Sequence, residues 1–296
     1  MYKENRDFII FFPHYKKRVK MKKTLLAGVV GFPLYHTKSP LIHNYWLNKY
    51  NIKGYYIPLE VKPNNLKDSL QSLINLGFKG VNITIPHKVN VLSFADTITD
   101  RAAIIGAANT LFFNSDGKIR ADNTDSFGFI KSIYDKYPNT NFKEEKAIVF
   151  GAGGASRAVI HSLLSEGISE VYLINRTKEK AKGVAEELGA RVKVLDWNVN
   201  SKLFKDISIV INSTSLGMKG NSSFHHNIED LKKNSLLVDL IYDPQETSFL
   251  KKGKELGYKT LNGIGMLMNQ AKPGFEGWFG VKPNIDEKLK KIILNG

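Results

Sequence analysis

The stretch KAIVFGAGGASRAVIHSLLSEG, residues 146–167, decides the fold of this chain. Its apolar start predicts a buried strand, Gly151, Gly153 and Gly154 predict a tight turn, and the residues from Ala155 onward have the pattern of an amphipathic helix. Glycines suit this turn because they allow its geometry and let the backbone approach an anion, which the N–H groups of the helix then meet. The pattern indicates the strand–turn–helix unit that binds a dinucleotide.

The next strand indicates which dinucleotide would bind. A glycine-rich turn alone also fits an ordinary strand-to-helix connection. Residues 171–174 predict a second strand that ends in Asn175, Arg176 and Thr177, where NAD sites carry an acidic residue for the ribose. A cation beside two small polar side chains suits a 2′-phosphate, which a carboxylate would repel. The sequence predicts NADP; the alternative is that Arg176 only extends into solvent from a helix N-terminus.

The composition is that of a globular protein. The chain has 296 residues, of which 42% are hydrophobic and 24% charged, and it has no cysteine, which excludes disulfides and thiolate chemistry. No apolar run approaches the roughly 20 residues that span a bilayer, and Phe8–Phe12 is too short for a secretory signal. We expect a cytoplasmic protein with no membrane partner.

The positive charge is concentrated at the N-terminus. The net charge is +15, and residues 1–23 contain eight Lys or Arg against two Asp or Glu. Such a segment is typically a solvated extension, and nucleic-acid binding is the alternative. We expect residues 1–21 to be a flexible basic extension, and we expect no nucleic-acid partner.

Strands and helices alternate on both sides of the glycine turn, which predicts parallel sheets in both halves. The predicted strands cover residues 24–31, 54–59, 80–85, 147–150, 171–174, 191–195, 207–212 and 235–241, with a hairpin at 108–113 and 118–121. The predicted helices cover residues 39–50, 64–76, 86–94, 124–137, 155–166, 178–188, 264–277 and 285–294.

This order predicts an α/β protein of two domains. Residues 22–123 with about 265–296 would form an α/β substrate-binding and catalytic domain, to which the C-terminal helices return. Residues 124–264 would form a doubly wound, Rossmann-type NADP-binding domain. We expect the active site in the cleft between them.

Several polar residues stand where helices begin. Ser39 is predicted as an N-cap before Pro40, and Thr37 adds a second hydroxyl that could help to hold a carboxylate. Lys88 falls in the first turn of a helix predicted to start at Pro86, where the helix dipole opposes a cation and favours the neutral amine that general acid–base chemistry needs. The alternative for Ser39 is that it only caps the helix, and the alternative for Lys88 is that it is simply exposed to solvent.

Other candidates follow the same logic. Asp125 opens a helix, where capping would also explain it, and Asn109 is a polar residue at the entrance of a strand. Thr214 follows the strand at 207–212, at an edge where ligands gather, and is expected to contact the cofactor. Gln270 could hydrogen-bond a hydroxyl. The histidines and carboxylates have no metal-site spacing, and His226 is expected in a solvated loop.

Eight segments together resemble the shikimate/quinate dehydrogenase family, whose shikimate dehydrogenases use NADP in aromatic amino-acid biosynthesis. The resemblance covers about residues 25–279. The segments are YHTKSPLIHN (35–44), GVNITIPHK (80–88), GAANTL (106–111), DNTD (122–125), GAGGASRAV (151–159), NRT (175–177), NSTSLGM (212–218) and NGIGML with QA (262–267 and 270–271).

The resemblance implies reversible reduction of 3-dehydroshikimate to shikimate with NADP(H), with Lys88 and Asp125 as the catalytic pair. It implies that substrate contacts come from Thr37 and Ser39 to the carboxylate, from Thr84, Asn109 and Gln270 to ring hydroxyls, and from Tyr242 in the same pocket. It implies cofactor contacts from Gly151, Gly153, Gly154 and Ala155 to the pyrophosphate, from Asn175, Arg176 and Thr177 to the 2′-phosphate, and from Met218, Gly263 and Met266 near the nicotinamide.

Two other functions fit the same fold. An NAD-using quinate/shikimate dehydrogenase is one, and Arg176 argues against it. A non-catalytic NADP-sensing protein is the other, and it would be expected to have lost Lys88 or Asp125. We expect no metal, a small-molecule substrate, and a monomer or homodimer.

Overall fold

The computed structural model describes residues 23–199 and 201–295, so the predicted basic extension at 1–21 lies outside the described residues. The described residues contain two six-stranded sheets. The first comprises β1 (Leu25–Gly31), β2 (Gly54–Glu60), β3 (Gly80–Ile83), β4 (Thr97–Ile98), β5 (Thr110–Phe113) and β6 (Ile119–Asp122). The second comprises β7 (Lys146–Phe150), β8 (Glu170–Ile174), β9 (Val192–Leu195), β10 (Ile207–Asn212), β11 (Leu236–Asp239) and β12 (Lys259–Leu261).

Helices cover both sheets. They are α1 (Ser39–Lys49), α2 (Leu66–Asn75), α3 (Asp100–Ile105), α4 (Asp125–Lys136), α5 (Gly154–Ser165), α6 (Lys178–Leu188), α7 (Ser248–Glu255), α8 (Ile264–Phe279) and α9 (Glu287–Asn295). Short 3-10 helices occur at Pro63–Asn65, Asn90–Phe94 and Ser201–Phe204. Among residues 23–199 and 201–295, none of these helices has the length and apolar character needed to cross a bilayer.

The second sheet is parallel throughout, as predicted, in the order β12-β11-β10-β7-β8-β9. Strand β7 lies inside the sheet and is buried on both faces after Lys146, which explains the apolar run from Ala147 to Phe150. Val149 belongs to the core on the α4 and α5 side, whereas Phe150 belongs to the opposite core with Phe224 and Phe249. The glycine turn therefore begins at the end of a central strand that is packed on both faces.

The first sheet is mixed: the prediction of parallel strands is confirmed for β1, β2 and β3 and is wrong at β5. Its order is β2-β1-β3-β5-β6-β4, and β5 is antiparallel to both β3 and β6. The predicted hairpin causes this reversal, because Asn114 and Lys118 close the turn through an N–H···O bond of 2.9 Å. Gly117 supplies the left-handed conformation (φ +82°) that the turn requires.

The α-helix predicted for residues 86–94 is also wrong. A turn lies there instead, and a 3-10 helix follows at Asn90–Phe94. Tertiary contacts fix the turn: the buried His87 donates from Nε2 to the Val61 carbonyl (2.7 Å), and the Ala108 N–H donates to the Lys88 carbonyl (2.8 Å). The helix-dipole argument for Lys88 therefore does not apply. The groups that influence the Lys88 amine are the side chains around it in the site.

The C-terminal helices pack against α1 and the first sheet. Trp46 of α1, Phe275 of α8 and Leu289 of α9 are fully buried in one core, and the Trp278 indole donates to the Leu111 carbonyl (3.0 Å). Helix α8 also packs along α4, which belongs to the core of the second sheet. The chain thus joins the two sheets through α4 and α8, while the exact domain boundaries stay a prediction.

Candidate active site

A cavity of about 170 Å³ opens where residues from both halves of the chain meet. It is lined by every residue that the sequence analysis assigned to catalysis or substrate binding: Thr37, Ser39, Thr84, Lys88, Asn109, Asp125, Tyr242 and Gln270. Three predicted cofactor residues, Ala155, Gly263 and Met266, line the same cavity. Residues spread over more than 230 positions of sequence therefore share one small volume.

Lys88 and Asp125 form an ion pair in the wall of the cavity. Lys88 Nζ lies 2.5 Å from Asp125 Oδ2, and the side chains are 14% and 5% exposed. Asp125 is the first residue of α4, and its N–H donates to the Asn123 side chain (3.1 Å). The carboxylate is therefore engaged with Lys88 and not with the helix N-terminus, which removes capping as its explanation.

Asn109 connects this pair to the opposite wall. Its Nδ2 lies 2.9 Å from Asp125 Oδ1 and 3.1 Å from Gln270 Oε1, while its Oδ1 accepts from the Thr124 N–H (2.7 Å). Because a backbone N–H can only donate, this last contact fixes the orientation of the amide. Helices α4 and α8 are held at the cavity through one buried side chain.

The hydroxyls at the start of α1 face the cavity without capping the helix. The predicted N-cap role of Ser39 is wrong: the helix begins at Ser39 itself, Lys38 is the N-cap, and no side chain caps the helix. The Ser39 N–H lies 3.4 Å from Thr37 Oγ1, and Ser39 is 7% exposed. Tyr242 donates to the His36 carbonyl (3.2 Å) and fixes the same segment. Two hydroxyls are thereby available to an anionic group.

The glycine turn fits a dinucleotide. Gly151 has φ +108°, and a Cβ there would meet Ser213 Oγ at 2.7 Å, so a larger residue would distort the turn. Helix α5 starts without a side-chain cap, which leaves its first N–H groups open to an anion. A Cβ at Gly154 would meet Lys88 Cβ at 2.8 Å, so the turn lies directly against the ion pair.

The remaining cofactor candidates lie outside the cavity lining. They are Gly151, Gly153, Gly154, Asn175, Arg176, Thr177, Thr214 and Met218. Asn175 donates to the Thr177 carbonyl (2.7 Å), and Thr214 donates to Asn212 Oδ1 (2.7 Å), so both shape their own loops. Arg176 is exposed and has no hydrogen-bond or ion-pair partner within the described part of the chain. It is free to meet a phosphate.

Sequence reasoning missed Asn82, which lines the cavity from β3 and is 5% exposed. The signal was present, since an Asn inside a buried strand is as unfavourable as the Asn109 that was singled out.

The expectation for His226 was wrong: it is half-buried, with its ring 4.4 Å from that of Phe150 and 4.5 Å from that of Trp197. Burial lowers the pKa of His226. In residues 23–199 and 201–295, no cluster of His and carboxylates could hold a metal.

A buried carboxylate supports the cavity from behind. Asp239, the last residue of β11, is fully buried and accepts from Thr247 Oγ1 (2.6 Å), the Ile241 N–H (3.1 Å) and Asn212 Nδ2 (3.1 Å). It thereby joins the loops after β10 and β11. Burial raises the pKa of Asp239 to about 6, against these hydrogen bonds.

This pKa predicts a pH dependence of stability. The folded state holds the Asp239 proton more tightly than the unfolded chain, whose ordinary pKa is 3.8, so this group's contribution to stability falls as pH rises from 3.8 to about 6. Asp239→Asn removes that titration. We expect the urea midpoint of unfolding of the wild type, minus that of the variant, to fall as pH rises over this range and to be constant above pH 7. A difference that does not vary with pH would contradict the raised pKa of Asp239.

Comparisons with known proteins agree with this geometry. The family model described as shikimate dehydrogenase substrate binding domain matches residues 29–111, and that described as shikimate / quinate 5-dehydrogenase matches residues 134–244. A shikimate dehydrogenase (NADP(+)) of Cereibacter sphaeroides is 45% identical over 91% of this chain and 96% of its own.

Solved structures give the same result. The shikimate dehydrogenase of Aquifex aeolicus has a TM-score of 0.82 and 36% identity, covering 92% of this chain and 98% of its own. The shikimate 5-dehydrogenase of Thermus thermophilus, solved with NADP(H) and shikimate, has a TM-score of 0.79 and 31% identity, covering 91% and 98%. This chain belongs to the shikimate dehydrogenase family.

Proposed function

We propose that this protein is an NADP-dependent shikimate dehydrogenase, which reversibly reduces 3-dehydroshikimate to shikimate. The observation that carries the proposal is the Lys88–Asp125 pair, 2.5 Å apart in a cavity that also contains the hydroxyls of α1 and the start of α5. The relatives and solved structures named for this activity support it.

The ion pair handles the proton. When bound, NADP accepts or supplies the hydride at the carbon that carries the reacting oxygen. In reduction, the Lys88 ammonium gives a proton to the carbonyl oxygen as the ketone becomes the secondary alcohol, which leaves a neutral amine. In shikimate oxidation, the neutral amine takes the proton of the secondary hydroxyl as that carbon becomes a ketone. Asp125 holds the Lys88 amine in place and remains a hydrogen-bond acceptor for Asn109. Both charges lie in a wall that is mostly shielded from solvent, which strengthens their interaction.

The other cavity residues bind the ring. Thr37 and Ser39 donate hydroxyl hydrogen bonds to the shikimate carboxylate, and Thr84, Asn109 and Gln270 bind ring hydroxyls. Asn82 and Tyr242 complete the same wall. Compared with a serine at this position, the methyl group of Thr37 narrows the carboxylate end of the pocket.

The second half of the chain holds the cofactor. Gly151, Gly153, Gly154 and Ala155 would contact the pyrophosphate at the start of α5, and Gly263, Met266 and Met218 would lie near the nicotinamide. Asn175, Arg176 and Thr177 would contact the adenosine 2′-phosphate, and Thr214 would be a further cofactor contact. We also propose the division into a substrate domain (22–123 with about 265–296) and a cofactor domain (124–264). A cytoplasmic location and a monomeric or homodimeric state stay predictions.

Arg176→Ala tests the cofactor assignment. We expect KM for NADP to rise about 10- to 100-fold, because a charge-assisted contact to the 2′-phosphate is lost, while KM for NAD stays the same. Arg120→Ala is a matched control, since that exposed arginine lies over the Phe112 ring in the first sheet. Equal effects of Arg176→Ala on NADP and NAD would show that Arg176 does not contact the 2′-phosphate.

Turnover of 3-dehydroshikimate tests the function itself. Purified protein with NADPH and 3-dehydroshikimate should consume both in equal amounts and yield shikimate. The loss of the reduced-nicotinamide absorbance measures this reaction. Protein that is folded and binds NADPH but turns over nothing would instead be a sensor on this fold.

A further inference from the structure

Tyr56 lies behind the cavity and does not line it, yet it is tied to the active site. Its ring is 1% exposed, and its hydroxyl is 2.6 Å from Asn82 Oδ1. The ring of His43 stacks on it with centroids 3.9 Å apart and an angle of 4° between planes. Burial raises the pKa of Tyr56 well above its ordinary value, so the hydroxyl keeps its proton and is a donor.

Four buried hydrogen bonds lead from this hydroxyl to the carboxylate of the ion pair. Tyr56 donates to Asn82 Oδ1 (2.6 Å), and Asn82 Nδ2 donates to Thr110 Oγ1 (3.2 Å). Thr110 Oγ1 donates to Asn109 Oδ1 (3.0 Å), and Asn109 Nδ2 donates to Asp125 Oδ1 (2.9 Å). All five side chains belong to residues that are at most 5% exposed. We call this series the donor chain.

The direction of the donor chain is fixed at its far end. An ionised carboxylate only accepts, so Asn109 must turn its amide nitrogen toward Asp125. Its Oδ1 then faces both Thr110 and Thr124, and Thr110 must accept from Asn82, because the amide nitrogen of Asn82 can only donate. Asn82 also donates to the Asn109 carbonyl (3.1 Å), so both of its N–H groups are engaged.

This arrangement allows Asn82 to make only one kind of hydrogen bond with a molecule bound in the cavity. Its two N–H groups are used within the protein and its Oδ1 accepts from Tyr56, so a bound molecule meets only the remaining acceptor capacity of Oδ1. Asn82 therefore favours a hydroxyl that can donate. Without Tyr56, this oxygen would lose the partner that holds it, and a buried acceptor without a partner is costly.

We propose, resting on the function above, that Tyr56 is a positioning residue whose hydroxyl holds Asn82 Oδ1 beside the substrate and, through Asn82 and Thr110, supports the Asn109 amide that the Thr124 N–H orients toward Asp125. No member of the chain belongs to the nucleotide-binding turn, so cofactor binding does not depend on it.

Tyr56→Phe tests this role because it removes the hydroxyl and keeps the ring that stacks on His43. We expect kcat for shikimate oxidation to fall about tenfold, with KM for NADP unchanged. The matched control is Tyr55→Phe, on the neighbouring position of β2, where the side chain is 61% exposed; it should match wild type. Wild-type kcat in Tyr56→Phe would overturn the proposal.

Thr110 provides a second test within the same chain. Thr110→Val breaks the chain with nearly the same volume and should lower kcat about as much, whereas Thr110→Ser keeps the hydroxyl and should restore it. The double variant Tyr56→Phe/Thr110→Val should be no slower than the slower single variant, since the chain can be broken only once. Effects that multiply would show two independent structural roles and overturn the proposal.

The Thr110 pair decides the matter even if Tyr56→Phe fails to fold, because wild-type kcat in Thr110→Val would refute the chain. Failure of the proposed function is a different outcome, in which the wild-type protein itself does not oxidise shikimate. An active wild type with unaffected variants refutes the donor chain alone.

Discussion

Lys88→Ala is expected to lower kcat for shikimate oxidation by about 10²- to 10⁴-fold, with KM for shikimate changed by less than about threefold. The reason is that Lys88 Nζ is the group placed to move the hydroxyl proton, 2.5 Å from its partner Asp125 in the cavity wall. In the proposed assignment, other residues hold the substrate's carboxylate and its remaining hydroxyls, so we expect binding to survive the substitution. Initial rates at the reduced-nicotinamide band measure both constants.

The matched control is Lys131→Ala. Lys131 pairs with Asp135 on the exposed side of α4 and does not line the cavity, so its loss should leave kcat at the wild-type value. Near-normal kcat in Lys88→Ala, with the control also normal, would remove Lys88 from the proton transfer.

Asp125→Asn is expected to lower kcat by about 10²- to 10³-fold. The carboxylate accepts from two donors, Lys88 on Oδ2 and Asn109 on Oδ1. An amide has only one acceptor oxygen, so its NH₂ group would have to face one of those two donors. Lys88 would either lose its counter-charge contact or move away from the substrate hydroxyl, and both outcomes slow proton transfer.

Asp68→Asn on the exposed face of α2 is the control for this substitution, and it should have wild-type kinetics. NADP binding, measured by titration, should be the same in both variants because neither residue belongs to the cofactor turn. A kcat for Asp125→Asn within about threefold of wild type would mean that the negative charge is not required.

The second sheet was predictable because its local signals agree. Strand β7 is apolar from Ala147 to Phe150 since that part is buried on both faces, and Gly151 marks the turn that follows. The first sheet was only partly predictable. The hairpin at Asn114–Gly117 was recognised, but its consequence, an antiparallel β5 within an otherwise parallel arrangement, depends on which strand the hairpin joins.

Short elements were missed because they contain too few residues to show a period. Helix α3 has six residues and β12 has three. Their ends did carry a signal: Thr99 caps α3 through the Ala102 N–H, and Gly106 ends it with φ +68°. The error at residues 86–94 has a different origin, since Pro86 is a good first residue for a helix and only the contacts of His87 and Lys88 decide against one.

The site was predictable as a set of residues and not as a geometry. The motifs placed Lys88, Asn109 and Asp125 among the candidates, and the structure brings all three together. The same motifs contain Asn82, whose role depends on Tyr56 from a different strand. A hydrogen bond between residues 26 positions apart leaves no local pattern, so only the fold reveals it.

The most direct test of this account compares four substrate pairs with purified protein: shikimate or quinate, each with NADP or NAD, followed at the reduced-nicotinamide band. We expect shikimate with NADP to be turned over far faster than the other three pairs. Comparable rates with quinate or NAD would contradict the assigned specificity, with Thr37 and Arg176 the first residues to re-examine. No turnover with any pair, from folded protein, would contradict the proposed enzyme altogether.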